Sequence, residues 1–303
     1  MRNLLILVTY NGFAFTRNCL FCLQYLSSSE WKIVIADNGS SDNTPEKVKE
    51  EFPFVEVYEL KANKGFSFAN NYAFKKANET ESFDLVCFLN NDTLLSSETL
   101  DVLKNSFNKI QNKVIMAPKV FNSDGSVQRN DYCFLSPWQF FSNAFRSVNK
   151  ADEILHGKLN TIPSTSFLQN DWMNGVCLMM KASAFEQIGM FDENFFMYYE
   201  DTDFAYRAKK LGYVFYMNPE SHLTHFGGAS AKSSLSQSLQ HDSSQYYFYK
   251  KHFGLKGILL SKLFRMVRSG VRILSFSLLG IFKQDKRIKA RLHVKLFVNA
   301  FRK

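Results

Sequence analysis

Apolar stretches alternate with helix-like stretches along the first half of the chain. Short runs rich in Val, Ile, Leu and Phe predict strands over residues 3–9, 31–36, 54–60 and 83–89. Between them, apolar spacing predicts helices over residues 16–26 and 67–78, and Thr44 followed by Pro45 is typical of a helix start. This alternation predicts an α/β fold with a mostly parallel central sheet and helices on both faces.

Polar residues follow three of these predicted strands. They occupy positions 9–11, 37–40 and 90–92. Turn chemistry explains any one such cluster. Because the carboxyl ends of parallel strands meet at one edge of a sheet, three clusters favour a shared ligand crevice there.

The second half of the chain has a weaker pattern. Residues 118–170 show no firm period, whereas a strand is predicted over 175–180 and helices over 182–188 and 201–211. On the last helix, Asp203 and Arg207 are four residues apart and are expected to pair. Phe204, Ala208 and Leu211 are expected to form its buried stripe.

Composition predicts a folded chain with a sizeable core. The 303 residues are 46% hydrophobic and include 31 Phe. The apolar run after Met1 is too short for a signal peptide and reads as a buried strand, and no apolar run is long enough to span a bilayer. Five scattered cysteines indicate a reducing compartment, and Cys19 and Cys22 are interpreted as part of a helix core face rather than a redox or zinc pair.

Positive charge is concentrated in the C-terminal segment. Residues 250–303 carry fifteen Lys or Arg and a single acid, a net charge of +14, which leaves −5 for residues 1–249 out of the total of +9. Basic residues interleaved with Phe and Leu predict amphipathic helices on an anionic membrane surface. Nucleic acid is the competing partner, but no recognition motif accompanies the charge, and contact with another protein also stays open.

Six sequence blocks, in this order, resemble those of family 2 glycosyltransferases, and most of all the rhamnosyltransferase-like members. The resemblance covers about residues 3–235. The blocks are V-T-Y-N (8–11), A-D-N-G-S-S-D-N-T (36–44), N-K-G-F-S-F-A-N-N (63–71), F-L-N-N-D-T (88–93), F-D-E-N-F-F-M-Y-Y-E-D-T-D (191–203) and H-F-G-G-A-S (225–230). The resemblance implies a GT-A fold and an inverting, metal-dependent transferase.

The resemblance also implies a nucleotide-sugar site. Asp37 would accept a hydrogen bond from the pyrimidine of the donor, which favours uracil or thymine, although an Asx turn with Gly39 explains the same residue. The expected donor-binding residues are Thr9, Tyr10, Asn11, Asp37, Asn63, Lys64, Gly65, Asn90 and Asn91.

A divalent metal, Mg²⁺ or Mn²⁺, is the implied cofactor. Asp92 would bind it next to the donor diphosphate, and His225 would complete the ligand set. Asn90 stands where many relatives have a first acid, so only one carboxylate is expected here. The plain alternatives are a turn acid for Asp92 and a surface or buried histidine in a Gly-rich loop for His225.

Asp201 is the expected general base, which would remove the proton of the acceptor hydroxyl. The alternative for Glu200 and Asp201 is capping of the helix that follows. The expected acceptor-side residues are Trp172, Asn174, Gly175 and Glu200.

Together these features predict transfer of a sugar, with rhamnose expected, from a dTDP- or UDP-linked donor to a surface-polysaccharide or lipid-linked glycan. We expect a catalytic domain over 1–240, with a donor half (1–117) and an acceptor half (118–240), and a basic helical tail over 241–303. The expected location is the cytoplasm, at the inner face of the membrane. The competing hypotheses are a nucleotidyltransferase, which should have a Gly-rich basic loop after the first strand, and a nucleic-acid-binding protein.

Overall fold

The computed structural model describes residues 2–26, 30–96, 98–107, 113–130, 132, 134, 168–227, 235–280 and 284–302. Contacts divide the chain into two compact units. Within the described residues, the first unit contains the strands and the first six helices. The second contains two long C-terminal helices and residues 197–199.

One large sheet forms the centre of the first unit. Its strands are β1 (Asn3–Thr9), β2 (Trp31–Asp37), β3 (Val55–Glu59), β4 (Leu85–Asn90), β5 (Thr93–Leu95), β6 (Val114–Phe121), β7 (Leu168–Asn170), β8 (Cys177–Lys181) and β9 (Val214–His225). The order is β3-β2-β1-β4-β8-β6-β9-β5, with β7 paired to β9. The stretch from β3 to β4 is parallel, β8 is antiparallel to both neighbours, and β6 and β9 are again parallel.

Helices cover both faces of this sheet. They are α1 (Phe13–Leu23), α2 (Thr44–Glu51), α3 (Phe66–Asn78), α4 (Thr99–Phe107), α5 (Ala182–Ile188) and α6 (Glu200–Lys210). Successive residues of a strand point to opposite faces. Accordingly Leu4 packs in a core with α3, α5 and α6, whereas Leu5 packs in a second core with α1, α2 and α4. The predicted α/β fold with helices on both faces is confirmed.

Register brings the predicted polar positions to one edge. Thr9, the last residue of β1, aligns with Asp37, and Val8 aligns with Asn90. The carboxyl ends of three neighbouring strands therefore lie side by side, and the loops that leave them can share a ligand.

The second unit consists of α7 (Leu235–Gly280) and α8 (Gln284–Arg302). Gly254 interrupts α7 with a non-helical backbone (φ 64°, ψ −154°). The buried residues of this unit include Tyr246, Phe264 and Leu296. None of the described helices is both long enough and apolar enough to cross a membrane.

The structure changes several details of the sequence interpretation. The first helix begins at Phe13, three residues earlier than predicted, and the pairing of Asp203 with Arg207 is confirmed. The prediction that Leu211 belongs to a buried stripe is wrong: α6 ends at Lys210, and Leu211 is exposed in the turn that follows. The domain boundaries stay a prediction.

Cys19 is buried in the core on α1, as expected, and burial raises the pKa of its thiol to about 12. Such a thiol carries almost no thiolate at neutral pH, and the thiolate is the reactive form. The C-x-x-C pair is therefore poorly suited to redox chemistry.

Candidate active site

Asp37 ends β2 and is almost completely buried. Its Oδ1 accepts hydrogen bonds from the backbone N–H groups of Gly39 (3.1 Å) and Ser40 (2.9 Å). Its Oδ2 is buried and has no hydrogen-bond partner among the described residues. The Asx turn and the expected ligand role are therefore compatible, because one oxygen shapes the turn while the other is available to a hydrogen-bond donor.

Asn38 fixes the loop that leads into α3. Its amide nitrogen donates to Asn63 Oδ1 (3.0 Å) and to the carbonyl of Gly65 (3.2 Å), and its Oδ1 accepts from the N–H of Lys64 (2.8 Å). Residues 63–65 are thus held next to the end of β2, as expected for a donor-binding loop.

Gly65 is required by the geometry of this loop. Its φ is 91°, and a Cβ atom there would lie 2.4 Å from the carbonyl oxygen of Phe196. Only glycine adopts this conformation readily and leaves room for such a close approach.

The polar residues after β1 have different environments. Thr9 is buried, and its hydroxyl lies in a hydrogen-bonded group with the Thr16 hydroxyl (3.0 Å) and the Asn91 amide (3.3 Å). Asn11 accepts from the N–H of Ser41 (2.7 Å), and Tyr10 is half exposed. Thr9 and Asn91 therefore support the strand ends from inside, whereas Tyr10 is open to solvent.

Asp92 lies next to His225, 133 positions later in the sequence. His225 ends β9, which pairs with β5 just after Asp92. Asp92 Oδ1 and His225 Nε2 are 3.1 Å apart, and the Asn90 amide nitrogen is 3.4 Å from the same Nε2. The expected metal pair is brought together.

Gln128 determines which nitrogen of His225 is available. Its Oε1 lies 2.9 Å from Nδ1 of His225 and can only accept a hydrogen bond. In the neutral imidazole, Nδ1 therefore carries the proton and Nε2 carries the lone pair that faces Asp92. Two acceptors 3.1 Å apart require a proton or a cation between them.

This arrangement fits a divalent cation. Metal-bound histidines usually donate their other N–H to a fixed acceptor, as His225 does to Gln128. The part of the chain that the structure describes has no group of three or more His, Cys, Asp or Glu placed for a metal. A cation here would need further oxygen ligands, and Mg²⁺ typically takes them from substrate phosphate and water.

Glu200 and Asp201 begin α6 but differ in environment. Glu200 is buried, and its Oε2 has no hydrogen-bond partner in the part of the chain that the structure describes. Burial, followed by the charge of Asp201, raises the pKa of Glu200 to about 8. Asp201 is only partly buried. Its Oδ2 accepts from the N–H of Gly175 (3.0 Å) and its Oδ1 from the N–H of Thr202 (2.6 Å). Burial also raises the pKa of Asp201, while these hydrogen bonds oppose the shift.

Asp203 is structural. It is fully buried and pairs with Arg207 (2.8 Å), whose guanidinium also donates to the carbonyl of Met190 (2.6 Å). This network fixes α6 against the loop after α5, and so holds the start of α6 in place.

Three of the four expected acceptor-side residues lie on the segment 172–175, whereas the fourth, Glu200, begins α6. Trp172 stacks on Tyr132 with ring centroids 4.3 Å apart, and the N–H of Asn174 donates to Asn130 Oδ1 (2.9 Å). The Oδ1 of Asn174 is buried and has no hydrogen-bond partner among the described residues. Gly175 follows and donates to Asp201.

A backbone hydrogen bond links this segment to the end of β4. The N–H of Asn90 donates to the carbonyl of Val176 (2.9 Å), the residue after Gly175. Asp92 and Asp201 therefore flank the same short piece of chain.

Sequence reasoning missed Gln128 and Asn130, and it placed Asn38 in a strand-end polar cluster without predicting that it holds the loop 63–65. Asn38 lies in a motif that also satisfies an ordinary turn, and the other two lie in the stretch without a firm period. Their partners are 25 to 97 positions away in the chain, so local pattern carries no signal for them.

Comparison with known proteins bears on the family and the fold of the chain. Residues 4–166 match the model of glycosyl transferase family 2. The chain is 25% identical to an N-acetylglucosaminyl-diphospho-decaprenol L-rhamnosyltransferase of Mycobacterium tuberculosis, over 88% of this chain and 93% of the relative. It is also 28% identical to the low-salt glycan biosynthesis hexosyltransferase Agl10 of Haloferax volcanii, over 59% of this chain and 53% of the relative.

Solved structures show the same fold. S. aureus TarS 1-349 in complex with UDP-GlcNAc superposes with a TM-score of 0.54 at 16% identity, over 99% of this chain and 81% of TarS 1-349. GalNAc-T7 with UDP, GalNAc and Mn²⁺ superposes with a TM-score of 0.56 at 14% identity, over 84% of this chain and 51% of GalNAc-T7. The GT-A prediction is confirmed, and the family match favours a glycosyltransferase over a nucleotidyltransferase. The chain is a glycosyltransferase and belongs to family 2, where it is similar to the rhamnosyltransferases.

Proposed function

We propose that this glycosyltransferase moves rhamnose, with inversion, from a dTDP- or UDP-linked donor to a lipid-linked glycan of surface-polysaccharide biosynthesis. The observation that carries the proposal is the convergence of Asp37, Asp92 and Asp201 around the carboxyl ends of β2 and β4. The similarity to the M. tuberculosis rhamnosyltransferase supports the sugar and the acceptor class, because it extends over nearly the whole of both chains.

Donor recognition begins with Asp37. The free Oδ2 of its carboxylate is buried and can accept a hydrogen bond from the imide N–H of uracil or thymine. A cytosine or adenine ring lacks this N–H, so the site selects against these bases. The loop of Asn63, Lys64 and Gly65 is bonded to Asn38 and so lies next to the end of β2, where we expect it to contact the donor.

Asp92 and His225 are the residues that would hold Mg²⁺ or Mn²⁺. When bound, the cation neutralises negative charge that develops on the departing nucleoside diphosphate. Asn90 supplies a neutral amide beside the pair, and Gln128 keeps the lone pair of His225 turned toward Asp92.

Asp201 is the proposed base. Burial raises the pKa of its neighbour Glu200 to about 8, whereas hydrogen bonds from the N–H groups of Gly175 and Thr202 favour the ionised form of Asp201. Each oxygen of a carboxylate has two lone pairs, and Oδ2 uses one for the N–H of Gly175. The other can take the proton of the acceptor hydroxyl as that oxygen attacks the anomeric carbon. Inversion requires one displacement and therefore one base.

The second unit is proposed to bind an anionic membrane surface. Helices α7 and α8 expose large apolar side chains on strongly basic segments, and Leu255 and Leu259 lie one turn apart on α7. Apolar contact together with attraction of Lys and Arg to anionic lipid favours such binding.

Asp201→Asn is expected to lower turnover by about 10²–10⁴-fold, because an amide cannot accept the proton. Donor affinity, measured by calorimetry with the nucleotide sugar, should stay within about threefold of the wild type, since the substitution removes the base and leaves the contacts to the donor intact. Asp101→Asn, which neutralises an exposed carboxylate on α4, is the control and should retain wild-type turnover. Near-normal turnover by Asp201→Asn would contradict the assignment.

Gln128→Met is expected to weaken Mn²⁺ binding by about 10–100-fold, because His225 loses the acceptor that orients it. Asp92→Ala should weaken Mn²⁺ binding further. Gln128→Glu keeps an acceptor for His225 and should therefore bind Mn²⁺ like the wild type. Mn²⁺ binding is measured by electron paramagnetic resonance in the presence of UDP or dTDP, and Gln169→Met, at an exposed position of β7, serves as the control. Failure of the wild type to bind Mn²⁺ would refute the metal role. Unchanged affinity in Gln128→Met would refute the orienting role alone.

Leu255→Gln combined with Leu259→Gln is expected to reduce binding to vesicles of phosphatidylcholine and phosphatidylglycerol, because two exposed apolar contacts are lost. Co-sedimentation measures the bound fraction, and raised salt should reduce it as well. Tyr25→Gln, at an equally exposed aromatic position of the first unit, should bind like the wild type. The membrane proposal fails if the wild type does not sediment with these vesicles.

A further inference from the structure

Four polar residues occupy one face of α7 where an amphipathic helix would normally bury apolar side chains. They are Arg265, Arg268, Ser269 and Arg272, spaced three, four and seven residues from the first. Residues at this spacing lie on the same side of a helix. His293 of α8 faces them, with its Nε2 3.5 Å from Nη1 of Arg272. We name these five residues the α7 arginine cluster.

Burial within the cluster is graded. Arg265, Ser269 and His293 are all at least 91% buried, whereas Arg268 and Arg272 are partly exposed. The two outer guanidinium groups therefore give access from solvent, and the three inner groups form the back of the site.

The positive charge of the cluster is only partly balanced. Arg265 pairs with Asp242, the one carboxylate among the described side chains of α7 and α8. No ion pair of Arg268 or Arg272 is found among the described residues. Among the described side chains, two guanidinium groups thus add an excess of two positive charges to a partly desolvated site, which is unfavourable unless an anion is present.

Inner polar atoms also lack partners. Nε of Arg265, Oγ of Ser269 and Nδ1 of His293 are all buried with no hydrogen bond in the described structure. Burial, and then the nearby arginines, lowers the pKa of His293 to about 4, so its ring is neutral at physiological pH and can donate one N–H. Burial and arginine neighbours also lower the pKa of Arg265 and Arg268. Burial is the larger cause of each shift, and the neighbouring arginines add to it.

We propose that the α7 arginine cluster binds a phosphoryl oxyanion, a phosphate or diphosphate ester. Planar guanidinium groups bind phosphate oxygens bidentately, and a hydroxyl and a neutral imidazole N–H complete the donors. A phosphate monoester carries between about −1.5 and −2 charges at neutral pH, which is close to the excess of two positive charges.

The surroundings favour a lipid phosphate. Val271 and Leu274, next to Arg272 in the chain, are exposed apolar side chains on α7. A ligand with a charged head and an apolar chain would use both features. Two sources share this chemistry: the diphosphate of a lipid-linked acceptor and the phosphate headgroup of an anionic phospholipid.

The test measures binding of the full chain to inorganic pyrophosphate by calorimetry, in EDTA and on the Asp92→Ala background. Without metal and without Asp92, the donor-diphosphate site does not contribute. We expect Arg268→Gln combined with Arg272→Gln to weaken binding at least about tenfold, because charged hydrogen bonds are lost. The control is Arg291→Gln combined with Lys295→Gln, which removes the same charge from exposed positions of α8 and should bind normally.

Thermal unfolding distinguishes a variant that has lost the ligand from one that fails to fold. Without ligand, Arg268→Gln/Arg272→Gln should be at least as stable as its parent, the Asp92→Ala protein, because like charges are removed. Pyrophosphate should raise the Tm of this parent but not the Tm of the variant. Failure of the parent to bind pyrophosphate would overturn the proposal whether or not the variant folds. An equal loss of binding in the control would overturn it too, since a diffuse surface charge would then suffice.

Two further probes distinguish the sources. Competition of farnesyl diphosphate with pyrophosphate indicates that the site binds the diphosphate of the acceptor. Competition of phosphatidylglycerol vesicles with pyrophosphate indicates that it binds a lipid headgroup. If neither competes, the lipid assignment is overturned. The assignment of the ligand as the diphosphate of the acceptor rests on the proposed function, whereas the assignment of an oxyanion site does not. Asp201→Asn should therefore bind pyrophosphate normally, and a loss of turnover without a loss of pyrophosphate binding separates the two proposals.

Discussion

Backbone hydrogen bonds hold β1 between β2 and β4 in a parallel register that places Thr9 beside Asp37 and Val8 beside Asn90. All the donor-side chemistry depends on this alignment. A shift of one residue would turn Asp37 to the opposite face of the sheet, because strand side chains alternate. Two apolar cores, one on each face of the sheet, make such a shift costly, since the apolar side chains of the shifted strand would leave the core in which they are now buried.

Once the strand ends are aligned, long-range contacts complete the site. The pairing of β5 with β9 brings His225 to Asp92, and the N–H of Gly175 orients Asp201. The environments of two neighbouring carboxyl groups differ: Glu200 is buried and no described residue bonds to its Oε2, while both oxygens of Asp201 accept backbone N–H bonds. The proposal that Asp201 is the base therefore rests on solvation as well as on sequence position.

Local pattern was sufficient for the parallel half of the fold. Continuous apolar runs predicted β1, β2 and β4 to within two residues, because strands buried on both faces contain few polar positions. The pattern did not reveal β6 or β9. Asn218 and Ser221 interrupt the apolar pattern of β9 with buried polar side chains that bind elsewhere in the fold. Asp37, Asp92 and Asp201 were found through their blocks, whereas Gln128 and Asn38 act through partners that only the folded chain brings near.

The central claim is that one carboxylate, Asp201, drives a single displacement at a donor held by the strand ends. The anomeric configuration of the first product, determined by nuclear magnetic resonance after incubation with dTDP-rhamnose and a lipid-linked N-acetylglucosamine acceptor, tests it most directly. A single displacement predicts a product whose anomeric configuration is opposite to that of the donor. Retention of the donor configuration would contradict the account, because it requires two displacements or a different path.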